Sequence, residues 1–371
     1  MDRYVKILLP EDYESDEFEG KKIFRPTYEE VLDHGFVGLI DFMGDDESIP
    51  EAARVSYGKG TKKVNTNTGL VRYLMRHGHT SPVEMCTFKF HVKAPIFVFR
   101  QWHRHRTFSL NEYSARYSEM TDEMYMPNYD VLFPQSTSNK QGREGNLFTE
   151  EEYSTICSCI EEIFDSSYHT YKHILGPDSN GTVTPPPDSI RRRIDWAKAA
   201  ALEAARTSRE RALEDESENP YDTEEKVDNL IRAYLQQNGL CELNEDFPGI
   251  SRELARIVLP VATYSQMYWT GNLHNLFHFL NLRSDSHAQH EIQVYANAIL
   301  KLITPIVPQA VKAFEDYQLY ANKFSRMENE VLKEHLVPMI TEQVWNEMLS
   351  SLEVKGCSHR EILEFKSKLG I

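Results

Sequence analysis

Thr87-Phe88-Lys89-Phe90-His91-Val92-Lys93-Ala94-Pro95 places Phe88, Phe90 and Val92 against Thr87, Lys89, His91 and Lys93. That is the period of a strand with one buried face and one wet face. Pro95 closes it and suits the first turn of a following helix, where a missing N–H costs nothing. Ile96 to His103 then continue as a helix carrying Arg100 and Gln101. Were that helix to persist through Arg104, Gln101 and Arg104 would share a face three residues apart. The chain runs on as Arg104-His105-Arg106-Thr107-Phe108-Ser109-Leu110-Asn111-Glu112-Tyr113-Ser114-Ala115-Arg116.

From Arg100 to Arg116 four arginines stand against the single acid Glu112, inside a chain of formal charge −16. An acidic chain repels phosphate backbones and anionic membrane surfaces, so broad nucleic-acid or membrane binding is excluded. A local cationic cluster within it predicts a compact anion site. Guanidinium forks suit phosphate and carboxylate, and Ser109, Asn111 and Ser114 add partners for ribose or phosphate oxygens. A nucleotide is the guest this chemistry fits. The competing reading is an exposed basic loop that pairs with the acidic surface.

Outward from this segment, helical periods are expected over Val31 to Met43 and Gly69 to Arg76, after an acidic, mobile opening from Glu11 to Lys22. A further helix is expected from Glu150 to about Leu175. Gly176-Pro177-Asp178-Ser179-Asn180-Gly181 and Pro185-Pro186-Pro187 break it. An Ala-rich helix, Ser189 to Glu214, and acidic Glu214 to Glu225 follow as a surface excursion. Arg191-Arg192-Arg193 resembles a nucleic-acid patch, but acids balance bases around it and a solvated helix is the better reading. Ser251 to Pro260, Asn272 to Arg283 and Ser284 to Ile303 are expected to be helical or nearly so. Hydrophobic residues at 40% and charged residues at 26% fit a globular protein and exclude collagen-like or disordered classes.

Five cysteines without CxxC spacing exclude a disulfide framework and a zinc ribbon, and Cys157 and Cys159 read as idle or buried thiols on a helix. The apolar stretch at the N-terminus is too short for a signal peptide or a membrane span, so an intracellular, cytoplasmic protein is expected. Ser109 and Ser114 lie near His105, yet a nucleophilic serine also needs a third, orienting group, and ligand positioning is preferred. The pairs His103 with His105, His274 with His278, and His287 with His290 come without an HExxH pattern, and no metal site is expected.

Arg104-His105-Arg106, followed after seven residues by Ser114, resembles the signature of the flavin-dependent thymidylate synthases. The resemblance extends through Ala52 to Ser56, His77 to Glu84, Phe90 to Val98, Glu253 to Pro260 and Phe279 to Gln289. It covers about residues 30 to 175 and 249 to 322. What it implies is an α+β fold, a central antiparallel sheet with surrounding helices. One domain, 1–322, is interrupted by a helical insertion at 176–248 and followed by a C-terminal extension at 323–371. It further implies a homotetramer with active sites between subunits, which binds FAD, dUMP and methylenetetrahydrofolate, with NADPH reducing the flavin.

By the same resemblance, Ser81, Arg104, His105, Arg106, Glu112, Asn272, His274 and His278 stand at FAD-contacting positions. Gln101, Arg104, Glu112, Ser114, Ala115, Arg116 and Arg256 stand at dUMP-contacting ones. Arg283 is the residue that activates the pyrimidine, and His79 and Glu84 lie near flavin and folate. Ala115 occupies a place where the family commonly has Gly, and His278 one associated with Asn. Flavin-free thymidylate synthases attack with a Cys placed after Pro and before His, and no cysteine here has those neighbours. The alternatives from other classes are a flavin-free nucleotide enzyme, such as a metal-dependent nucleotide hydrolase, and a nucleotide-binding regulatory module.

Overall fold

The strand expected at Thr87 is the centre of the molecule. In a computed structural model that describes residues 16–18, 21–23, 26–56, 66–137, 142–214, 217–240 and 247–369, it runs Thr87–Pro95 (β5) with every second side chain buried. Its neighbours are β4 (Gly35–Met43) and β7 (Tyr264–Asn272). Strands β3 (Thr27–Val31) and β6 (Ser109–Glu112) form the edges, in the order β3-β4-β5-β7-β6. All pairings are antiparallel. A separate hairpin pairs β1 (Asp16–Phe18) with β2 (Lys21–Ile23).

Phe88, Phe90, Val92 and Ala94 face helices α3 (Ile96–Trp102), α8 (Leu273–Arg283) and α9 (His290–Ile303), all in one apolar core. Each buried aromatic ring there contributes on the order of 2–3 kcal/mol by leaving water. Helices α1 (Ser48–Arg54) and α2 (Asn67–Arg76) precede β5, and α10 (Pro308–Phe314) packs against α2. The implied α+β fold with a central antiparallel sheet is observed.

Three expectations are corrected. Val31 to Met43 forms not a helix but β3, a reversal and β4, with Leu32 at φ 60° in the turn. Phe36, Leu39, Ile40 and Met43 satisfy a helical period, but Val37 and Leu39 also satisfy a strand period, and pairing with β5 decides. Residues 284–289 form a turn rather than the start of α9, because the Asp285 carboxylate accepts from the His287 N–H at 2.8 Å. Within the opening segment expected to be mobile, 16–18 and 21–23 are paired strands, and the rest of Glu11 to Lys22 lies outside the described residues.

The excursion begins where α4 (Glu150–Leu175) ends. Gly176 and Gly249 adopt φ +82° and +77°, and a Cβ on Gly176 would sit 2.8 Å from the Gly249 backbone. The Ile250 N–H donates to the Ile174 carbonyl at 2.9 Å, so the two ends meet. Between them α5 (Asp188–Glu214) and α6 (Glu224–Gln237) bury Ile194, Ala197 and Leu235 in a core of their own. Closing a gap whose ends already touch needs only a short linker. A chain with residues 180–242 replaced by a Gly/Ser linker is therefore expected to retain its sheet and melt within about 5 °C of the parent. A collapse of the sheet signal in circular dichroism would show that the excursion supports the core.

Candidate active site

Trp102 ends α3. Its ring is fully buried, edge-on to Trp269 at 5.3 Å and 5.0 Å from Phe279. The chain then turns tightly, as the Arg104 N–H donates to the Gln101 carbonyl at 3.3 Å and the His105 N–H to the Trp102 carbonyl at 3.0 Å. Because the helix stops here, Gln101 and Arg104 do not share a helical face, contrary to the conditional expectation. Phe108 stacks on Trp269 at 3.9 Å and delivers the chain into β6. His105 is thereby buried against Phe279, and Arg104 and Arg106 are left exposed. Neither arginine makes an ion pair with a carboxylate among the described residues.

Arg283, the last residue of α8, reaches back to this turn. Its Nε donates to His105 Nε2 at 3.0 Å and its Nη2 to the Gln101 carbonyl at 3.2 Å. A guanidinium only donates, so His105 Nε2 is the acceptor and the ring proton sits on Nδ1. Burial, the Arg283 charge and His278 hold the His105 pKa down at about 4. Burial, helped by nearby Arg104, pulls that of Arg283 down as well. The Gln101 side-chain amide donates to Gln289 Oε1 at 2.5 Å.

Two further groups gather nearby. Glu112, on β6, accepts from buried Ser265 Oγ at 3.0 Å, and its second oxygen lies 3.7 Å from His103 Nε2. Ser114 opens a turn in which its Oγ accepts from the Arg116 N–H at 3.3 Å. Arg116 Nε donates to the Glu253 carboxylate at 3.1 Å and Arg256 Nε to the Glu253 carbonyl at 3.2 Å, so one residue of α7 (Arg252–Ala255) collects both arginines. At the other end of α8, Asn272 Oδ1 caps the helix by accepting from the Asn275 N–H at 2.9 Å. The Leu273 N–H donates to the Cys86 carbonyl at 2.8 Å, which ties that end to the loop carrying His79, Ser81 and Glu84. His79, Ser81 and His278 are exposed, and Glu84 and His274 half-buried. Eleven helical residues separate the two ends of α8 by roughly 16 Å.

A family model described as thymidylate synthase complementing protein matches residues 38–309. The flavin-dependent thymidylate synthase of Rickettsia bellii is 37% identical over 348 residues, spanning 90% of this chain and 98% of that protein. The chain belongs to the flavin-dependent thymidylate synthase family. Its activity is the family's, a methyl transfer that makes thymidylate. Ruegeria pomeroyi has a synthase 39% identical over 340 residues, spanning 92% of this chain and 87% of that protein. A crystal structure of the UMP/dUMP methylase PolB from Streptomyces cacaoi bound with 5-Br dUMP superposes with TM-score 0.52 at 25% identity. It covers 78% of this chain and 98% of that one.

Ala115 sits without backbone strain, since Leu32 alone among the described non-glycine residues has positive φ. His278 puts its ring 6.0 Å from that of His105. Glu253, Ser265 and Gln289 had no role in the sequence reading, because each enters through a contact more than a hundred residues away in the chain. Among the described residues no three His, Cys, Asp or Glu side chains gather as a metal-binding group.

An ordinary histidine titrates at 6.5, whereas His105 in the fold titrates at about 4. Between those values the unfolded chain binds a proton that the folded one refuses. The stability due to neutral His105 is therefore whole above pH 6.5 and declines as pH falls to about 4. In nitrogen-edited NMR the His105 ring is expected to stay neutral from pH 7 to pH 5, and Arg283→Ala to raise its midpoint. A parent ring that protonates near 6.5 would contradict the neutral acceptor.

Proposed function

We propose that the chain methylates dUMP to dTMP with methylenetetrahydrofolate as carbon donor, FAD as its flavin and NADPH as the reductant. The observation that carries this reading is the pairing of Arg283 with a neutral, buried His105 beside two arginines that are unpaired among the described residues. Of the five N–H donors of a guanidinium, His105 and the Gln101 carbonyl take two. The remaining three serve a ligand. Arg283 is always protonated, so it stabilises negative charge developing on the pyrimidine N3 and carbonyl oxygens without a proton transfer.

The residues fit FAD. Arg104 and Arg106 supply exposed cations for its pyrophosphate, and Glu112, Ser81, Asn272, His274 and His278 supply polar partners, with His105 orienting Arg283 from beneath. The flavin, when bound and reduced, would supply a hydride to the pyrimidine. Gln101, Ser114, Ala115, Arg116 and Arg256 hold dUMP in this reading, with Arg104 and Glu112 shared between the two ligands. His79 and Glu84 border flavin and folate. No protein thiolate is needed. Cys86 is buried and its thiol pushed up to about 12 by burial and by Asp45 and Asp46. Cys86, Cys157, Cys159 and Cys357 are unpaired, as a reducing cytoplasmic location allows, and Cys241 lies outside the described residues. No helix is long and apolar enough to cross a membrane among the described residues.

The same reading includes a homotetramer with shared sites. Among the described residues no hydrogen bond or ion pair joins the Arg283, Glu112 and Arg116 groups to one another. Leu254, Ile257 and Leu282 stand exposed beside them, as apolar surface for a second subunit would. In this reading a catalytic domain, 1–322, is interrupted by the insertion at 176–248 and followed by the extension at 323–371.

Two experiments test this. Arg283→Lys is expected to keep its FAD but to lose at least about tenfold in kcat/KM for dUMP, because an ammonium cannot reproduce the fork. Turnover near that of the parent would remove Arg283 from its role. Hybrids of inactive Arg283→Ala and inactive Arg104→Ala subunits are expected to recover activity if those residues meet across subunits. No recovery after demonstrated exchange would assign both to one chain.

A further inference from the structure

The C-terminal extension carries three described α-helices, α11 (Arg326–Val331), α12 (Glu342–Val354) and α13 (His359–Leu369). The last is anchored by charge. Arg72 and Arg76 stand four apart on α2 and point the same way. Arg72 Nε meets Glu361 Oε1 at 2.8 Å and its Nη1 meets Asp316 at 2.6 Å. Arg76 grips both oxygens of Glu364, at 2.6 and 3.0 Å, in the forked geometry that fixes direction as well as distance. The Tyr317 hydroxyl donates to Glu361, and Ile362 is buried beside these charges. The Arg76 and Glu361 side chains are each only 7% exposed. Buried charges of this kind persist only when fully partnered, so α13 has one seat.

That seat adjoins the loop that follows α2. Arg360 of α13 lies 4.4 Å from the centroid of the Tyr73 ring. The same ring packs against His77 at 4.4 Å and His79 at 5.8 Å. His77 Nε2 is 3.1 Å from Glu364. Gly78, at φ +68°, turns the chain so that the His79 N–H donates back to the Leu74 carbonyl at 2.9 Å. The end of α2, and with it the start of the His79 to Glu84 loop, is thus gripped from the tail, while the loop's far end is tied to α8 through Cys86 and Leu273.

We propose that the extension is a positioning clamp for the flavin side of the site. Arg360, Glu361 and Glu364 fix the last turn of α2, and Tyr73 passes that constraint to His79. The inference rests on the reading above that His79, Ser81 and Glu84 border the flavin. None of the three clamp residues touches a ligand in that reading. A ligand loop held in place binds more tightly than one that must be ordered on binding.

The test compares the full-length triple variant Arg360→Ala/Glu361→Gln/Glu364→Gln with the parent by titration of the apoprotein with FAD and, separately, with dUMP. A five- to thirtyfold rise in the FAD dissociation constant is expected, with dUMP affinity within about twofold, since Arg283 and the Arg116 turn lie at other elements. Should the triple variant fail to fold, exposed Arg360 alone is replaced by Ala, with Arg360→Lys expected to restore FAD affinity by returning a cation to the Tyr73 face. FAD affinity within twofold of the parent overturns the clamp, and so does an equal loss of FAD and dUMP, which marks general destabilisation. A parent that takes up no FAD at all sinks the functional reading itself, and the clamp with it.

Discussion

Where the Arg104–Arg106 turn meets Arg283 depends on where Trp102 goes. Its ring has one place to be, edge-on to Trp269 and against Phe279, and filling that place stops α3 and reverses the chain. Emptying such a position by truncation to Ala costs about 3–5 kcal/mol in a packed core. Because Phe279 belongs to α8 and Trp269 to β7, the same contact sets the helix that ends in Arg283. The meeting of Arg283 and His105, 178 residues apart in the chain, is therefore a consequence of aromatic packing rather than of attraction between the two.

Electrostatics then acts on a geometry already fixed. A protonated His105 would point a donor at the Arg283 donor, with His278 close by, in a place where burial already penalises charge. The neutral ring is what allows a guanidinium to be oriented without being neutralised. Had a carboxylate stood at position 105, it would have cancelled much of the field that an anionic ligand needs. The overall charge of −16 serves a different end, keeping the molecule soluble while the arginines stay available.

The sequence made the local features legible and left the distant ones dark. Alternation from Phe88 to Ala94 reported the central strand because both faces of that strand differ in polarity. The helices α4 and α5 were readable from their length and punctuation. Val31 to Met43 misled, because a short apolar run satisfies two periods and only pairing with β5 chooses between them. In the site, the arginines declared themselves by concentration. Glu253, Ser265 and Gln289 could not, since an isolated polar residue acquires meaning only from the partner that the fold brings to it. The Trp102 stop was likewise invisible, because nothing between Gln101 and Arg104 breaks a helix by propensity.

The two segments that the family signature does not explain differ physically, and the difference bears on what each can do. The excursion joins the domain at two glycines whose backbones touch, and it buries Ile194, Ala197 and Leu235 against itself. A unit with its own core and a narrow attachment transmits little strain. The tail has the opposite construction. Few of its side chains are buried, yet among those few are Glu361 and Ile362, and Glu361 is held at a pKa of about 2. Burial alone would raise that value, and the hydrogen bonds from Tyr317, Ser358 and Arg72 outweigh it. A carboxylate that stays ionised while buried fixes its helix to one register on α2, because any shift would strand a charge. Sequence distance from the signature is thus a poor guide to mechanical distance from the site. The farther segment, at the end of the chain, is the one coupled to His79.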